Sequence, residues 1–195
     1  MKKALFLFLI LFSIGAQAQR GFEVKVGGGI TFLGLDPWIR GGIISATALY
    51  NINGVLAIGP TFATTAGAKF YIMESANSHE SSLNEIGLIA QFTVLRAGKF
   101  KMYVNGNLAN VKGKTGPVPN FIDPTSSTTL TIEDSAISFG LGLGTLLNLG
   151  KGFYLNILEY EIRTLSSDFM DMEKGYQGSI GPMSTFRTGI SYTFN

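Results

Sequence analysis

Thr185-Phe186-Arg187-Thr188-Gly189-Ile190-Ser191-Tyr192-Thr193-Phe194 is the stretch that decides the fold. Its even positions are mostly large and apolar (Phe186, Ile190, Tyr192, Phe194, with Thr188 between). Its odd positions (Thr185, Arg187, Gly189, Ser191, Thr193) are small or polar. Successive side chains of a strand point to opposite faces. The stretch therefore predicts a strand with one greasy and one wet face, closed by aromatic residues.

Seven earlier segments alternate in the same way. Phe22 to Phe32 sets Phe22, Val24, Val26, Ile30 and Phe32 against Glu23, Lys25 and Thr31. Trp38 to Tyr50 is noisier, and Gly41-Gly42 suggests a bulge there. Val55 to Phe70 opposes Leu56, Ile58, Phe62 and Phe70 to Gly59, Thr61, Thr65 and Lys69. Glu85 to Leu95 opposes Ile86, Leu88, Phe92 and Val94 to Glu85, Gln91 and Thr93. Phe100 to Lys112 sets Phe100, Met102, Val104 and Leu108 against Lys101, Tyr103, Asn105 and Asn107. The clearest is Ile137, Phe139, Leu141 and Leu143 against Ser138, Gly140, Gly142 and Gly144. In the seventh, Leu158, Tyr160 and Ile162 oppose Glu159, Glu161 and Arg163, while Phe153 to Ile157 is apolar on both faces. Each segment approaches or exceeds the roughly 9–11 residues with which a tilted strand crosses a bilayer.

The connections alternate as well. Asn51-Ile52-Asn53-Gly54, Ala97-Gly98 and Asn148 to Gly152 are tight, with Asn-Gly or Gly at the turn. Leu33–Pro37, Tyr71–Asn84, Gly113–Thr129 and Leu165–Pro182 are longer. Short turns at one end and long loops at the other suit an outer-membrane barrel. An even strand count places both termini at the short-turn, periplasmic end. The expected fold is all-β, an eight-stranded antiparallel up-and-down transmembrane β-barrel.

The first residues read as a cleaved signal peptide. Lys2-Lys3 precedes the apolar run Ala4 to Ile14, and Ala16-Gln17-Ala18 is a small-x-small cleavage site. The expected division is a signal peptide over 1–18, cut after Ala18, and a barrel domain over 19–195. The full chain carries 15 basic and 13 acidic residues. Losing Lys2 and Lys3 leaves 13 of each, so the mature net charge is zero and nothing suggests nucleic acid. With no cysteine, disulfides and thiolate metal sites are excluded. Charged residues are 14% of the chain, against about 25% in soluble domains. No later apolar run is long enough for a membrane helix, and a closed barrel is the other structure that satisfies its backbone in lipid.

In this pattern the chain, from about Gly21 to Phe194, resembles the small eight-stranded outer-membrane barrels of the OmpA/OmpX type, "outer membrane protein beta-barrel domain" proteins. The resemblance implies location in the bacterial outer membrane among lipid bilayer and lipopolysaccharide; no peptidoglycan-binding domain is expected after the barrel. It also implies that Ile190-x-Tyr192-x-Phe194 is read by the outer-membrane insertion machinery, although Asn195 here follows the terminal aromatic. A monomer is expected.

Alternation alone does not say which face meets lipid. A soluble lipid-binding barrel would turn its apolar face inward. The small, charge-poor polar face and aromatics near strand ends (Tyr50, Phe100, Tyr154, Tyr192, Phe194) favour the apolar face outward. Glu23, Lys25, Lys69, Glu85, Lys101, Glu159, Glu161, Arg163 and Arg187 then point into a lumen only wide enough for side chains to fill. A packed polar plug is expected there, with Gly140, Gly142 and Gly144 giving room to long side chains such as Tyr103. The alternative is a narrow channel.

Candidate chemistry is sparse. Gly140-x-Gly142-x-Gly144 lacks nucleotide-binding spacing. His79 and Ser81 resemble the H-x-S pair of lipid A deacylases, but they fall in an expected polar loop. A nucleophile needs a base held in place by a third group. Asp168, Asp171 and Glu173 would be candidates for bridging cations to lipopolysaccharide, yet read more simply as surface acids. No catalytic, cofactor or metal residue is assigned. The expected role is non-enzymatic, structural or adhesive, and exercised through the exposed loops. The alternative activity is lipid hydrolysis.

Overall fold

The computed structural model describes residues 21–32, 40–71, 78–115, 118–119, 129–131, 133–166 and 182–194. Eight long strands close into one antiparallel barrel: β1 (Gly21–Phe32), β2 (Arg40–Asn51), β3 (Leu56–Tyr71), β4 (Ser78–Ala97), β5 (Phe100–Thr115), β8 (Glu133–Gly150), β9 (Phe153–Leu165) and β10 (Met183–Phe194). The two-residue strands β6 (Val118–Pro119) and β7 (Thr129–Leu130) pair between β5 and β8, inside the segment expected to be a loop. Each barrel strand pairs with the next, and β1 closes on β10 from Phe22↔Phe194 to Phe32↔Ser184. Closure leaves no unpaired edge, which lipid would not tolerate.

Tight turns join the strands at one end. Asn53 caps its turn by accepting from the Val55 and Leu56 amides at 3.1 and 2.8 Å, and Gly54 sits at φ 71°. The β8–β9 turn runs through Gly150, Lys151 and Gly152, all at positive φ. Gly21 and Phe194 lie at this same end, as an even strand count requires.

The outer surface is the apolar one. Ile137, Leu141, Ile86 and Leu88 are about 60–70% exposed, whereas Glu23, Glu161 and Arg163 are 1%, 0% and 1% exposed. An inward apolar face around a ligand is therefore ruled out. Aromatic rings mark both borders of the apolar band. Phe22–Phe194, Phe153–Tyr192 and Tyr192–Phe194 pack at the short-turn end, and Phe32–Phe186 and Tyr160–Phe186 near the other. Phe186 and Phe194 are eight residues apart, about 27 Å along a strand, or about 20 Å along the bilayer normal at a tilt of about 40°.

Several expectations need correction. Gly41-Gly42 carries no bulge, since the β1–β2 and β2–β3 registers run without a shift. β2 is noisy because Ile43 and Leu49 face inward and are buried. The bulge lies across the β2–β3 hairpin, at Ala66-Gly67, where the β3–β4 register shifts and Gly67 supplies φ 71°. β4 begins at Ser78, not Glu85, so much of the Tyr71–Asn84 loop belongs to the β3–β4 ladder. Tyr154, expected in the outer aromatic girdle, pairs with buried Ser191 on the luminal side. A bulge at Ile157-Leu158 reverses the faces of β9 before it.

A packed polar lumen as the candidate functional site

Strand alternation delivers the charged residues to one place. Lys25 comes from β1, Glu85 from β4, Glu159, Glu161 and Arg163 from β9, and Arg187 from β10. All six are buried. Three cations face three carboxylates, so this central cluster is neutral.

Glu159 is its hub. It accepts from Tyr103 Oη at 2.6 Å, Arg187 at 2.7 Å, and the Asn105 and Asn156 amides at 3.1 Å. Lys25 Nζ lies 3.8 Å from it, donates to Gln91 at 2.7 Å, and sits 4.0 Å above the Tyr103 ring. Arg187 also bonds Glu161, which accepts from Asn107 at 3.1 Å. Arg163 bonds Glu85, and its Nε is 3.2 Å from Glu161. Buried charges are tolerated only when paired and hydrogen-bonded, and here each has an opposite charge in reach.

The β9 bulge makes part of this possible. Unbroken alternation would put Asn156 and Glu159, three apart, on opposite faces. The bulge turns both Ile157 and Leu158 outward and leaves Asn156 and Glu159 together inside. Glycine supplies the space. A Cβ on Gly144 would collide with the Tyr103 ring, and one on Gly140 would lie 2.5 Å from Glu161 Oε1 and 2.8 Å from Arg163 Cγ. The expected pairing of inward glycines with long side chains is thus present, with Tyr103 directly across from Gly144.

The centre of the lumen is nearly full. The void beside Lys25, Glu159 and Arg187 is about 20 Å³, roughly the room for a single water. Toward the short turns, Lys101 lies 3.7 Å from Glu23, and a cavity of about 260 Å³ opens beneath them. Sequence reading identified Glu23 and Lys101 but missed Arg96 at this mouth. Arg96 is even-numbered, in step with the lipid-facing Ile86, Leu88, Phe92 and Val94. A bulge between Thr93 and Leu95 re-aims it, so that Arg96 pairs with inward Lys101 and bonds the Gly54 carbonyl. No sequence pattern announces that bulge.

The remaining candidates do not gather into a site. His79 and Ser81 lie on β4, opposite Phe70 and Ala68, rather than in a loop. Their side chains lie outside the described residues. Glu85 is held by Arg163. Lys69 stands opposite Glu80 in the ladder, its side chain outside the described residues. Asp168, Asp171, Glu173 and the 1–18 segment also lie outside them. Among the described residues, no group of acids and histidines is placed to hold a metal.

A closed eight-stranded barrel, apolar without and ionic within, is an integral membrane protein of the bacterial outer-membrane type. The chain belongs to the outer membrane protein beta-barrel domain family, whose model matches residues 4–194, and it is embedded in the outer membrane. No curated protein sequence matches it. The fold is shared with Neisserial surface protein A, at a TM-score of 0.64 and 14% identity over 89% of this chain and 97% of that one. It is shared too with Ail, the attachment invasion locus protein of Yersinia pestis (TM-score 0.56, 15% identity, 90% and 99% covered). A major outer membrane protein of Thermus thermophilus gives a TM-score of 0.63 at 12% identity, with 89% and 99% covered.

Proposed function

We propose that this protein is a non-enzymatic outer-membrane barrel with a structural or adhesive role, exercised at its long-loop end. The observation that carries the reading is a filled lumen beneath hairpins that outreach the membrane. β4 has 20 residues, about 66 Å of strand, or about 50 Å along the normal at a tilt of about 40°, against an apolar band of about 25 Å. A rigid stem that lifts loops off the bilayer suits recognition. Ail is named for attachment and has been crystallised with the heparin analogue sucrose octasulfate. A comparable attachment role is the adhesive form of the proposal.

Lipopolysaccharide is the proposed lipid partner on that side. On the outer face the apolar residues of β5 end at Leu108, and Asn110, Lys112 and Lys114 follow, all exposed. Two lysines just above the apolar band suit anionic lipid headgroups. The closed edge supports a monomer, and the terminal Ile190-x-Tyr192-x-Phe194 supports handling by the insertion machinery. The chain is read as a signal peptide over 1–18 followed by the barrel. The hydrolase reading loses support because Glu85, one of the two acids on the strand of His79 and Ser81, is committed to Arg163. The channel reading loses support to the filled centre.

The test combines gel mobility without boiling and cell attachment. Deleting residues 120–128 leaves the barrel ladder whole and is expected to keep the heat-sensitive mobility while abolishing attachment to host-type glycan surfaces. Undiminished attachment would refute the loop assignment. Loss of lipid A acyl chains on expression would favour the hydrolase instead.

A further inference from the structure

Between its aromatic borders, the outer face of β10 holds a residue that lipid does not favour. Thr188 stands between Phe186 and Ile190 and is exposed like them. It lies two residues inside the border at Phe186, about 5 Å along the bilayer normal, and so within the apolar band. A hydroxyl there needs an acceptor from the protein, because hydrocarbon supplies none. Thr188 Oγ1 donates to the backbone carbonyl of Asn156 at 2.7 Å.

That carbonyl belongs to the β9 bulge. Arg187 pairs with Glu159 and Gly189 with Asn156, so Ile157 and Leu158 together face the single residue Thr188. On the far side of β9, Leu158 pairs with Thr145 and Asn156 with Leu146. A bulge interrupts the ladder, and in lipid no water takes up a backbone group that it frees. Asn156 is held from both sides of the wall. Its carbonyl receives Thr188 on the lipid side, and its side-chain amide donates to Glu159 at 3.1 Å in the lumen. The strand that carries the hydroxyl is itself seated closely, since a Cβ on Gly189 would strike the Val26 carbonyl of β1.

We propose that Thr188 is a positioning residue for the central cluster. From the lipid side its hydroxyl fixes the β9 bulge at the Asn156 carbonyl, and the bulge sets Asn156 and Glu159 together in the lumen. Without the bulge, alternation turns Asn156 to the opposite face, and the Glu159 hub loses a donor. The proposal accounts for a threonine in the apolar row of β10 at the position that faces two residues of β9. It also fixes the sign of a substitution. Valine has the shape of threonine without the hydroxyl, and an unengaged hydroxyl in hydrocarbon is a cost. If Thr188 were merely a lipid-facing side chain, valine would stabilise the barrel. If Thr188 holds the bulge, valine destabilises it.

The test compares Thr188→Val and Thr188→Ser with the unaltered full chain. Folding is measured by denaturant in phosphatidylcholine vesicles. In nanodiscs of the same lipid, NMR follows the Asn156 side-chain amide and the Glu159 carboxylate. Thr188→Val should lower the folding equilibrium about fivefold to tenfold, the worth of one hydrogen bond, and should move both signals. Thr188→Ser keeps the donor and should stay within about twofold of the unaltered chain, with both signals in place. Ile162→Val, on the lipid face of β9 beyond the bulge, is the control and should leave both signals unmoved. Should Thr188→Val fail to fold, Thr188→Ser decides: native stability and native signals uphold the proposal, and a matching failure overturns it. A valine variant as stable as the unaltered chain, or more so, also overturns it. So does a valine variant that loses stability with both signals unmoved, because the hydroxyl would then act only where it sits. Movement of the signals by Ile162→Val as much as by Thr188→Val refutes the assignment to Thr188.

Discussion

Replacing Glu159 by alanine removes the acceptor on which four donors converge: Tyr103, Asn105, Asn156 and Arg187. It also leaves Lys25, Arg163 and Arg187 facing only Glu85 and Glu161, a buried surplus of one positive charge. Breaking a buried ion pair from one side costs about 3–5 kcal/mol, and each stranded buried donor about 1–3 kcal/mol. Arg187 keeps Glu161 as a partner, and Asn105 and Asn156 can turn toward water. A loss of about 4 kcal/mol is therefore expected, near a thousandfold in the folding equilibrium. Glu159→Gln keeps an acceptor and should lose about half as much. The assay is denaturant unfolding in lipid vesicles, read by the mobility of unboiled samples, with single-channel conductance measured in parallel. Conductance should stay at the wild-type level, because the Tyr103, Arg163 and Arg187 side chains still cross the lumen. Wild-type stability, or a new conductance in a fully folded variant, would refute the plug and make Glu159 a gate.

Other expectations follow from the same geometry. Gly144→Val drives a side chain into Tyr103 and should cost about 1–3 kcal/mol by overpacking; Tyr103→Ala in the same chain should recover part of it in a double-mutant cycle. Leu141→Arg, on the lipid face near mid-membrane, should cost about 2–4 kcal/mol in vesicle refolding, whereas Leu149→Arg beside the short turn should cost about 0–1 kcal/mol; equal costs would contradict the outward assignment. Beyond the apolar band, the Lys114 ammonium, 2.7 Å from Glu133, holds that carboxyl below its usual range, first through the hydrogen bond and then through charge. A lowered folded-state pKa means this contribution is present above about pH 4.3 and fades as pH falls through the folded value. An NMR titration of Glu133 should show the low midpoint, and Lys114→Ala should raise it.

Alternation in the sequence was enough to identify eight strands, their wet and greasy faces and the alternating turns. It did so because a strand's faces repeat every two residues and lipid tolerates only an apolar exterior. The charged residues of the central cluster were legible for the same reason, since each lies in phase with its neighbours. Long-range contacts were decided only in the closed barrel. That Glu159 collects donors from β5, β9 and β10, or that Gly144 faces Tyr103, depends on registers between strands distant in sequence. Where a bulge inserts one residue the period fails, and with it the reading. Arg96 enters the mouth, Tyr154 leaves the girdle, and Asn156 joins Glu159, each by a one-residue shift that flips the faces beyond it. Ile43 and Leu49 were misleading for a different reason: a lumen closed at its centre by ion pairs also buries apolar side chains, and a local pattern cannot tell a lipid-facing leucine from a luminal one. The alternating sequence thus determined a membrane barrel with a polar interior. Packing across the closed sheet decided which charges meet, where the lumen fills, and where a cavity stays open at the periplasmic mouth.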